Sequence, residues 1–345
     1  MKRKLIAAIA ATVLVLVLSL NNSAKKVYIG DALDRSPLPA ASVMNKEGHL
    51  LGISENDGWF ELDDNQTFPI RVSYLGFREK NVAAPVDSIL LEGYVFNLPE
   101  VAVGGDKTGV QLICLGTENV VIARGKDSVI MQNKYLLQYI LPFGKKPKGF
   151  KERSNPKILD SKLKTLTITD GNRVESEQPD FIFPTFIDME RMTAEKFAYP
   201  KVLDSLERAA VDIEYNKNIT LHYKRRKDVI SRYVDAMDGR TEPIKSPGIM
   251  SLFGMSFDIT RMDYTHRYNY NPSGINAALD LIGFTSAQSI IFKGKLFKKL
   301  FKTDEGVKGD IVIEITPINY QLISTEESKQ LNKNPGDLKL SDFGY

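Results

Sequence analysis

Short apolar runs separated by turns that end in glycine fill residues 27–103, and no other feature constrains the fold of this chain as strongly. Asn45-Lys-Glu-Gly48 and Glu55-Asn-Asp-Gly58 each join two such runs, and residues 70–74 alternate apolar and polar side chains. Alternation with a period of two is typical of half-buried strands, and short glycine-ending connections are typical of β-hairpins. We therefore predict a small all-β sandwich over residues 25–103.

Five blocks within this unit follow one another in a recognisable order. They are Gly30-Asp-Ala-Leu-Asp34, Ser36-Pro-Leu-Pro-Ala-Ala-Ser-Val43, Asp57-Gly-Trp-Phe60, Val72-Ser-Tyr-Leu-Gly-Phe77 and Leu98-Pro-Glu-Val101. Together they resemble the carboxypeptidase-regulatory-like domain, a transthyretin-like Greek-key sandwich of seven strands. The sequence departs from that family at Ala32, where valine is usual, and at Phe77, where tyrosine is usual. The resemblance implies a non-catalytic module of a Gram-negative envelope protein.

The first 24 residues read as a signal peptide. Lys2, Arg3 and Lys4 precede an apolar run over residues 5–20, and Ala24 stands at the expected cleavage edge. A retained membrane anchor is the alternative, but a helix over that run spans about 24 Å against a hydrocarbon core of roughly 30 Å. We expect an exported protein of the periplasm or of the periplasmic face of the outer membrane.

Charge and cysteine content exclude several classes of function. The 46 basic and 43 acidic residues leave a net charge of +3, which gives no field that would favour nucleic acid. Cys114 is the only cysteine, so the chain has no intramolecular disulfide and no two-thiol metal site. It lies in an apolar run and is expected to be a buried small hydrophobe.

Beyond a linker at residues 104–109, residues 110–345 mix two kinds of periodicity. We predict an α+β domain here, compatible with a further division near residue 184. Alternating strands are predicted at residues 110–115, 119–122, 128–131, 163–169, 211–223 and 310–316. Helices are predicted at residues 193–197, 202–210, 229–237, 275–283 and 286–302, and a last one beginning at Ser324.

Candidate catalytic and metal-binding residues do not form a motif. His49, His222 and His266 are the only histidines, and none stands at zinc-ligand spacing. A calcium loop at Asn56-Asp57-Gly58 would place Ile53 at its first ligand position, so a tight turn is the better interpretation. The sequence therefore predicts no catalytic residue, no metal ligand and no cofactor.

Two carboxylate pairs keep a hydrolase open as the alternative. These are Asp188 with Glu190 and Asp212 with Glu214, and only their separation in space would give them that role. An enzyme of this kind would act on envelope glycan or peptide.

Two basic segments allow a membrane-surface contact. Residues 143–164 are either a solvated loop or a contact with anionic headgroups or other acidic envelope polymers, and residues 288–302 are either a surface helix or an amphipathic membrane helix. We favour the first interpretation for both. The sequence as a whole predicts a non-catalytic binding or docking protein whose partner is an envelope protein or polysaccharide.

Overall fold

Most of the chain is β-strand in the computed structural model, which describes residues 25–63, 66–75, 77–93, 106–124, 127–170, 173–175, 186–187, 190–192, 196–197, 199–205, 208–216, 219–226, 228–237, 240–246, 254 and 256–344. The predicted leader at residues 1–24 lies outside the described residues. Within them, no helix is both long enough and apolar enough to cross a membrane.

Seven short strands build the N-terminal unit as two facing sheets. They are β1 (Lys25–Asp31), β2 (Ser42–Met44), β3 (Leu50–Ile53), β4 (Trp59–Leu62), β5 (Ile70–Ser73), β6 (Lys80–Val82) and β7 (Ser88–Leu91). One sheet has the order β4-β1-β7 and the other β3-β2-β5-β6. Alternate residues such as Val27, Ile29, Val43 and Val72 are fully buried between them, as the alternating pattern predicted. The prediction of a small β-unit is confirmed at this level.

The rest of the chain is dominated by one large antiparallel sheet. Its strands are β8 (Lys107–Arg124), β9 (Asp127–Pro142), β10 (Arg153–Asp170), β11 (Arg173–Glu175), β13 (Arg208–Asn216), β14 (Ile219–Arg226), β15 (Val229–Asp235), β16 (Ile244–Lys245), β17 (Ser256–Asn269), β19 (Leu281–Lys293) and β20 (Val307–Ser324). The spatial order is β11-β10-β9-β8-β20-β19-β17-β15-β14-β13, with β16 beside β17. Two further strands, β12 (Lys196–Phe197) and β18 (Ile275–Asn276), pair with each other.

The sheet consists of two meanders joined by its last strand. β8 to β11 pair in sequence order on one side, and β13, β14, β15, β17 and β19 do so on the other, with β16 pairing with β17. β20 then pairs with β19 on one edge and with β8 on the other over most of its length. Strands from both sides of residue 184 therefore belong to one sheet.

Helices are fewer and shorter than the sequence predicts. The described part has α1 (Val202–Ser205), α2 (Lys295–Phe301), α3 (Thr325–Lys333) and a 3-10 helix at Leu340–Phe343. The helix predicted to begin at Ser324 is confirmed, with Ser324 as its N-cap. The α+β prediction is otherwise too rich in helix, since the described chain is β-rich.

Four predicted helices are wrong in type or length. Residues 229–237 contain β15, residues 275–283 contain β18 and the start of β19, and residues 286–293 belong to β19. Only residues 295–301 of the predicted 286–302 helix are helical, and α1 ends at Ser205 because β13 begins at Arg208. The physical reason in β19 is burial on both faces, which replaces alternation by a nearly continuous buried run.

Three other predictions need correction. β8 begins at Lys107, so the predicted linker at residues 104–109 ends earlier. β10 begins at Arg153, so the second half of the basic segment 143–164 is strand and only its first half is a loop. Of the helix predicted at residues 193–197, residues 193–195 lie outside the described part, and residues 196–197 form β12.

The large sheet has two different faces. The sandwich face carries the N-terminal unit, where Ala40, Met44, Leu50 and Ile53 pack against Val121, Ala287 and Val312. The opposite, inner face is contacted by residues 186–187 and 190–192, which we call the covering segment, and by α2. One apolar cluster runs along the inner face from β10 to β14.

Candidate functional site

A single row of side chains crosses the inner face from the β13 edge to the centre of the sheet. Strand register pairs each member with the next: Ile213, Leu221, Val234, Tyr264, Ser286, Ile313 and Glu118. Exposure falls along the row, from 36% at Ile213 to 0% at Ser286, Ile313 and Glu118. Leu221, Val234 and Tyr264 are half-buried. The row is apolar or aromatic where it is exposed, and its buried end carries two polar side chains, Ser286 and Glu118, on either side of Ile313.

The covering segment lies over the polar end of this row. The side chain of Ile187 packs where Gly116 has no side chain, and the ring of Phe186 lies 5.6 Å from Phe257 and 6.4 Å from Phe292, centroid to centroid. Met192 donates its backbone N–H to the carbonyl of Ser154 at 2.9 Å. Three points of contact therefore hold the described part of the segment on the sheet.

Glu118 is a buried carboxylate with both oxygens engaged. Its Oε1 accepts a hydrogen bond from the backbone N–H of Phe186 at 2.6 Å, and its Oε2 accepts one from the Tyr135 hydroxyl at 2.8 Å. The first bond joins the sheet to the covering segment. Because charge-assisted hydrogen bonds are the strong ones, Glu118 is a main anchor of the segment.

Glu190 brings a second carboxyl group to the same place. It is 4% exposed, and its Oε1 lies 3.4 Å from Nε2 of Gln288, while the Ser286 hydroxyl also bonds the carboxyl. Burial raises the pKa of Glu190 to about 7, the Ser286 hydrogen bond lowers it, and the nearby Glu118 charge raises it. The Tyr139 hydroxyl donates to the Glu190 backbone carbonyl at 3.2 Å.

On the inner face near this end of the sheet, two buried polar atoms have no hydrogen-bond partner within the described chain. One is Oε1 of Gln288, whose side chain is 2% exposed. The other is Nδ1 of His266, whose ring stacks on Tyr268 with centroids 6.0 Å apart and tilts against Phe284 at 4.7 Å. Burial and the neighbouring Arg232 lower the pKa of His266 well below its usual value, so the ring is neutral.

Charged residues concentrate instead on the sandwich face. Asp31, fully buried at the end of β1, pairs with Lys224 at 3.2 Å and with Arg226. Asp34 adds a second contact to Lys224 at 2.9 Å. These pairs, with the apolar contacts described above, fix the sandwich against the large sheet.

The residues that the sequence singled out are dispersed. Asp212 and Glu214 lie exposed on β13, where Asp212 contacts Nδ1 of His222 at 2.8 Å, and Asp188 lies outside the described residues. Burial raises the pKa of the Cys114 thiol, as expected of an inert buried cysteine. The carboxylates that do come together on the inner face are Glu190 and Glu118.

The structure shows the predicted turn at Asn56-Asp57-Gly58 and parts of both predicted basic segments. Asp57 Oδ1 accepts the backbone N–H of Trp59 at 3.2 Å, which is a turn contact, and no group of three metal-ligand side chains occurs in the described chain. In α2, Phe297 and Phe301 are buried in the inner-face core. Lys146 in the 143–152 loop lies 3.6 Å from Glu152.

Sequence reasoning missed Glu118, Ser286 and Gln288. A signal for Glu118 exists, because the even-numbered positions 110, 112, 114, 120 and 122 of β8 are apolar and buried, and Glu118 interrupts that series. A charged residue on the apolar side of a strand needs a buried partner. Ser286 and Gln288 carry no such signal, because the apolar spacing of residues 286–302 predicts a helix rather than a strand.

Comparisons with known proteins add little. No protein-family model matches the chain, and no curated protein matches it. Among the solved structures that match is one described as lipid–protein interactions in lipovitellin, with a TM-score of 0.28 and 9% identity. The match covers 63% of this chain and 26% of that chain.

Proposed function

We propose that this chain is a non-catalytic binding protein of the bacterial cell envelope, and that the inner face of its large sheet binds a ligand with an apolar chain. The leader at residues 1–24 and the carboxypeptidase-regulatory-like pattern at residues 25–103 support export and an envelope location. The transthyretin-like interpretation of the sandwich belongs to the same proposal. In it the sandwich braces the large sheet and docks the protein to an envelope partner.

The cross-strand row on the inner face is the observation that carries this proposal. From Ile213 to Ser286 it crosses four strand spacings, about 19 Å at 4.8 Å each. That length is comparable with the roughly 15 Å that one acyl chain occupies in half of a bilayer core. Half-buried apolar side chains line it, and Ser286 ends it with a polar group. An elongated ligand fits this arrangement, with its apolar chain along the half-buried side chains and its polar head at Ser286.

The three-stranded sheet of the sandwich exposes an aromatic pair that a partner could contact. The four-stranded sheet supplies most of the apolar contacts to the large sheet, and the three-stranded sheet contacts it through Asp31 at the end of β1. Away from that contact, the three-stranded sheet carries Trp59, which is 40% exposed, and Tyr28, whose ring lies 5.4 Å from that of Trp59, centroid to centroid. This outward aromatic pair is the surface to which we assign docking.

A fluorescent acyl-chain probe tests the binding function directly. A dansylated undecanoic acid should bind the wild-type chain with enhanced, blue-shifted emission. Val234→Asp places a charge in the middle of the row and should weaken binding by about tenfold, since burying an unpaired charge costs well over 1.4 kcal/mol. Val86→Asp, at a position that is 37% exposed on the sandwich, is the matched control. Equal binding by both variants, with both folded by circular dichroism, would refute the assignment.

A hydrolase remains the second candidate because of one specific arrangement. Glu118 and Glu190 approach each other on the inner face, and the pKa of Glu190 is raised to about 7 by burial while Glu118 accepts two hydrogen bonds. A buried carboxyl whose pKa is raised can act as an acid beside a second carboxyl that acts as a base. Hydrolysis of envelope glycan or peptide that is lost in Glu190→Gln would support an enzyme. Turnover unaffected by that change would remove this pair from consideration.

A further inference from the structure

Gln288 offers a buried hydrogen-bond acceptor that the described chain does not use. Its Nε2 lies 3.2 Å from Oγ of Ser286 and 3.4 Å from Oε1 of Glu190, whereas its Oε1 has no partner among the described residues. A buried amide oxygen left without a donor costs about 1–3 kcal/mol. The polar end of the inner-face row is therefore incompletely satisfied, and the missing group is a donor.

We propose that Ser286 and Gln288 recognise the neutral carboxylic acid head of an acyl-chain ligand, and that the Glu190 side chain occupies this position in the unliganded protein. The inference rests on the proposed binding function of the inner face and specifies which chemical class it takes. Glu190 is then an internal substitute for the ligand head, carried on the covering segment.

The complementarity of the two groups supports this choice. A protonated carboxyl presents one O–H donor and one carbonyl acceptor side by side, and a primary amide presents one acceptor and two donors. The two can form a pair with two hydrogen bonds. Glu190 makes a single long contact to the amide, Oε1 to Nε2 at 3.4 Å. A ligand acid is not tied to the backbone of the covering segment. It can therefore align with the Gln288 amide and also donate a hydrogen bond to Oε1 of Gln288.

The charges around the site select the neutral form of the head. The titratable groups that face it are the Glu118 carboxylate from β8, the Tyr139 hydroxyl from β9 and the Tyr264 hydroxyl from β17. A carboxylate beside Glu118 would be repelled by it in a medium of low dielectric constant. The bound head is therefore the uncharged acid, and ligand affinity should fall as the pH rises.

The chain of such a ligand has a defined direction. Ser286 pairs in register with Tyr264, and Gln288 pairs with Met262, so both recognition residues adjoin the half-buried part of the inner face. From Tyr264 the row continues through Val234 and Leu221 toward the β13 edge. Binding is then an exchange in which the ligand head replaces the Glu190 side chain and the tail lies across β17, β15 and β14.

Competition for the dansylated undecanoic acid probe tests the inference on the full chain. Lauric acid should displace the probe about tenfold more strongly than methyl laurate, because the ester lacks the O–H donor for Gln288. Gln288→Leu should reduce the affinity for lauric acid to that for methyl laurate, and it should leave the affinity for methyl laurate unchanged. Gln321→Leu, on an exposed position of β20, is the matched control.

Glu190→Ala supplies a second readout, because the expected increase in affinity could not result from a loss of folding. Removing the internal competitor should raise the affinity for lauric acid several-fold and leave that for methyl laurate nearly unchanged. Equal competition by acid and ester in the wild-type chain, with no effect of Glu190→Ala, would overturn the inference and leave the binding function intact. Failure of the probe to bind either protein would overturn both.

Discussion

The Cδ1 atom of Ile187 occupies the space that a side chain on Gly116 would take. A Cβ atom at position 116 would lie 2.5 Å from that atom and 2.8 Å from Cδ1 of Leu137. Gly116 faces the inner side of β8, two residues before Glu118, which bonds the backbone of Phe186. The covering segment is thus held in place by the space that Gly116 leaves and by the Glu118 carboxylate on the same strand.

Gly116→Ala should therefore loosen the covering segment. The added methyl forces Ile187 or Leu137 to move, and overpacking of this kind costs about 1–3 kcal/mol. Urea unfolding should show that loss, and hydrogen exchange at residues 186–187 should accelerate. Gly144→Ala is the control, since nothing lies within 4 Å of a Cβ there. Unchanged stability of Gly116→Ala would contradict the packing described.

Asp31→Asn should separate the effect of a buried ion pair from that of a surface one. The substitution leaves Lys224 and Arg226 beside a neutral buried group and should cost about 3 kcal/mol. Asp34→Asn removes an aspartate whose side chain is 45% exposed, and should cost less than about 1 kcal/mol. The free energies of unfolding of the two variants give the comparison. Equal losses of stability would contradict the larger contribution that we assign to Asp31.

Glu314 should make stability depend on pH between about 4.5 and 7. Burial raises the pKa of Glu314 to about 7, Glu79 raises it further, and Ser73 and Arg71 lower it. The folded state then holds a proton that the unfolded state releases, so this group's contribution to stability falls as the pH rises through that window. The full change is at most about 3 kcal/mol at 1.36 kcal/mol per pH unit.

Glu314→Gln removes this titration and supplies its measurement. The unfolding free energy of the variant relative to wild type should increase from pH 4.5 to pH 7 and then level off. A pH-independent difference between the two proteins would show that Glu314 titrates normally. Glu326→Gln, at an exposed position whose pKa is lowered by Lys329, serves as the control and should not gain stability over that range.

Ser324→Ala should destabilise α3 through its N-terminal cap. The Ser324 hydroxyl accepts the backbone N–H of Glu327 at 3.2 Å, and Glu327 Oε2 accepts the backbone N–H of Ser324 at 2.6 Å. Loss of such a cap costs about 1 kcal/mol. Thermal unfolding should register the change, and Ser341→Ala, at an exposed position of the 3-10 helix, should leave the unfolding midpoint unchanged.

A strand whose sequence alternates was predictable even where both of its faces are buried, and β19, whose sequence does not alternate, was not. Residues 211–216 and 310–316 alternate and were recognised, whereas β19 is buried at nearly every position and reads as a helix because Ile290, Phe297 and Phe301 happen to share helical spacing. Its polar members Ser286 and Gln288 contact Glu190, which is distant from them in the sequence. Only the tertiary arrangement distinguishes the two cases.

The candidate site was less predictable than the fold for a related reason. Glu118, Glu190 and Gln288 are far apart in sequence, and none belongs to a motif. Their meeting depends on the register between β8, β20 and β19 and on the path of the covering segment, which local pattern does not determine. The interruption of the apolar series at Glu118 was the one available indication.

The position of β20 also determines when this protein can fold. The strand at the centre of the large sheet is the last one to be synthesised, and its partner β8 precedes it by almost the whole sheet. Contacts between such distant segments form slowly, because loop closure comes before any pairing energy is gained. One edge of β8 therefore has no neighbour until Ser324 has left the ribosome.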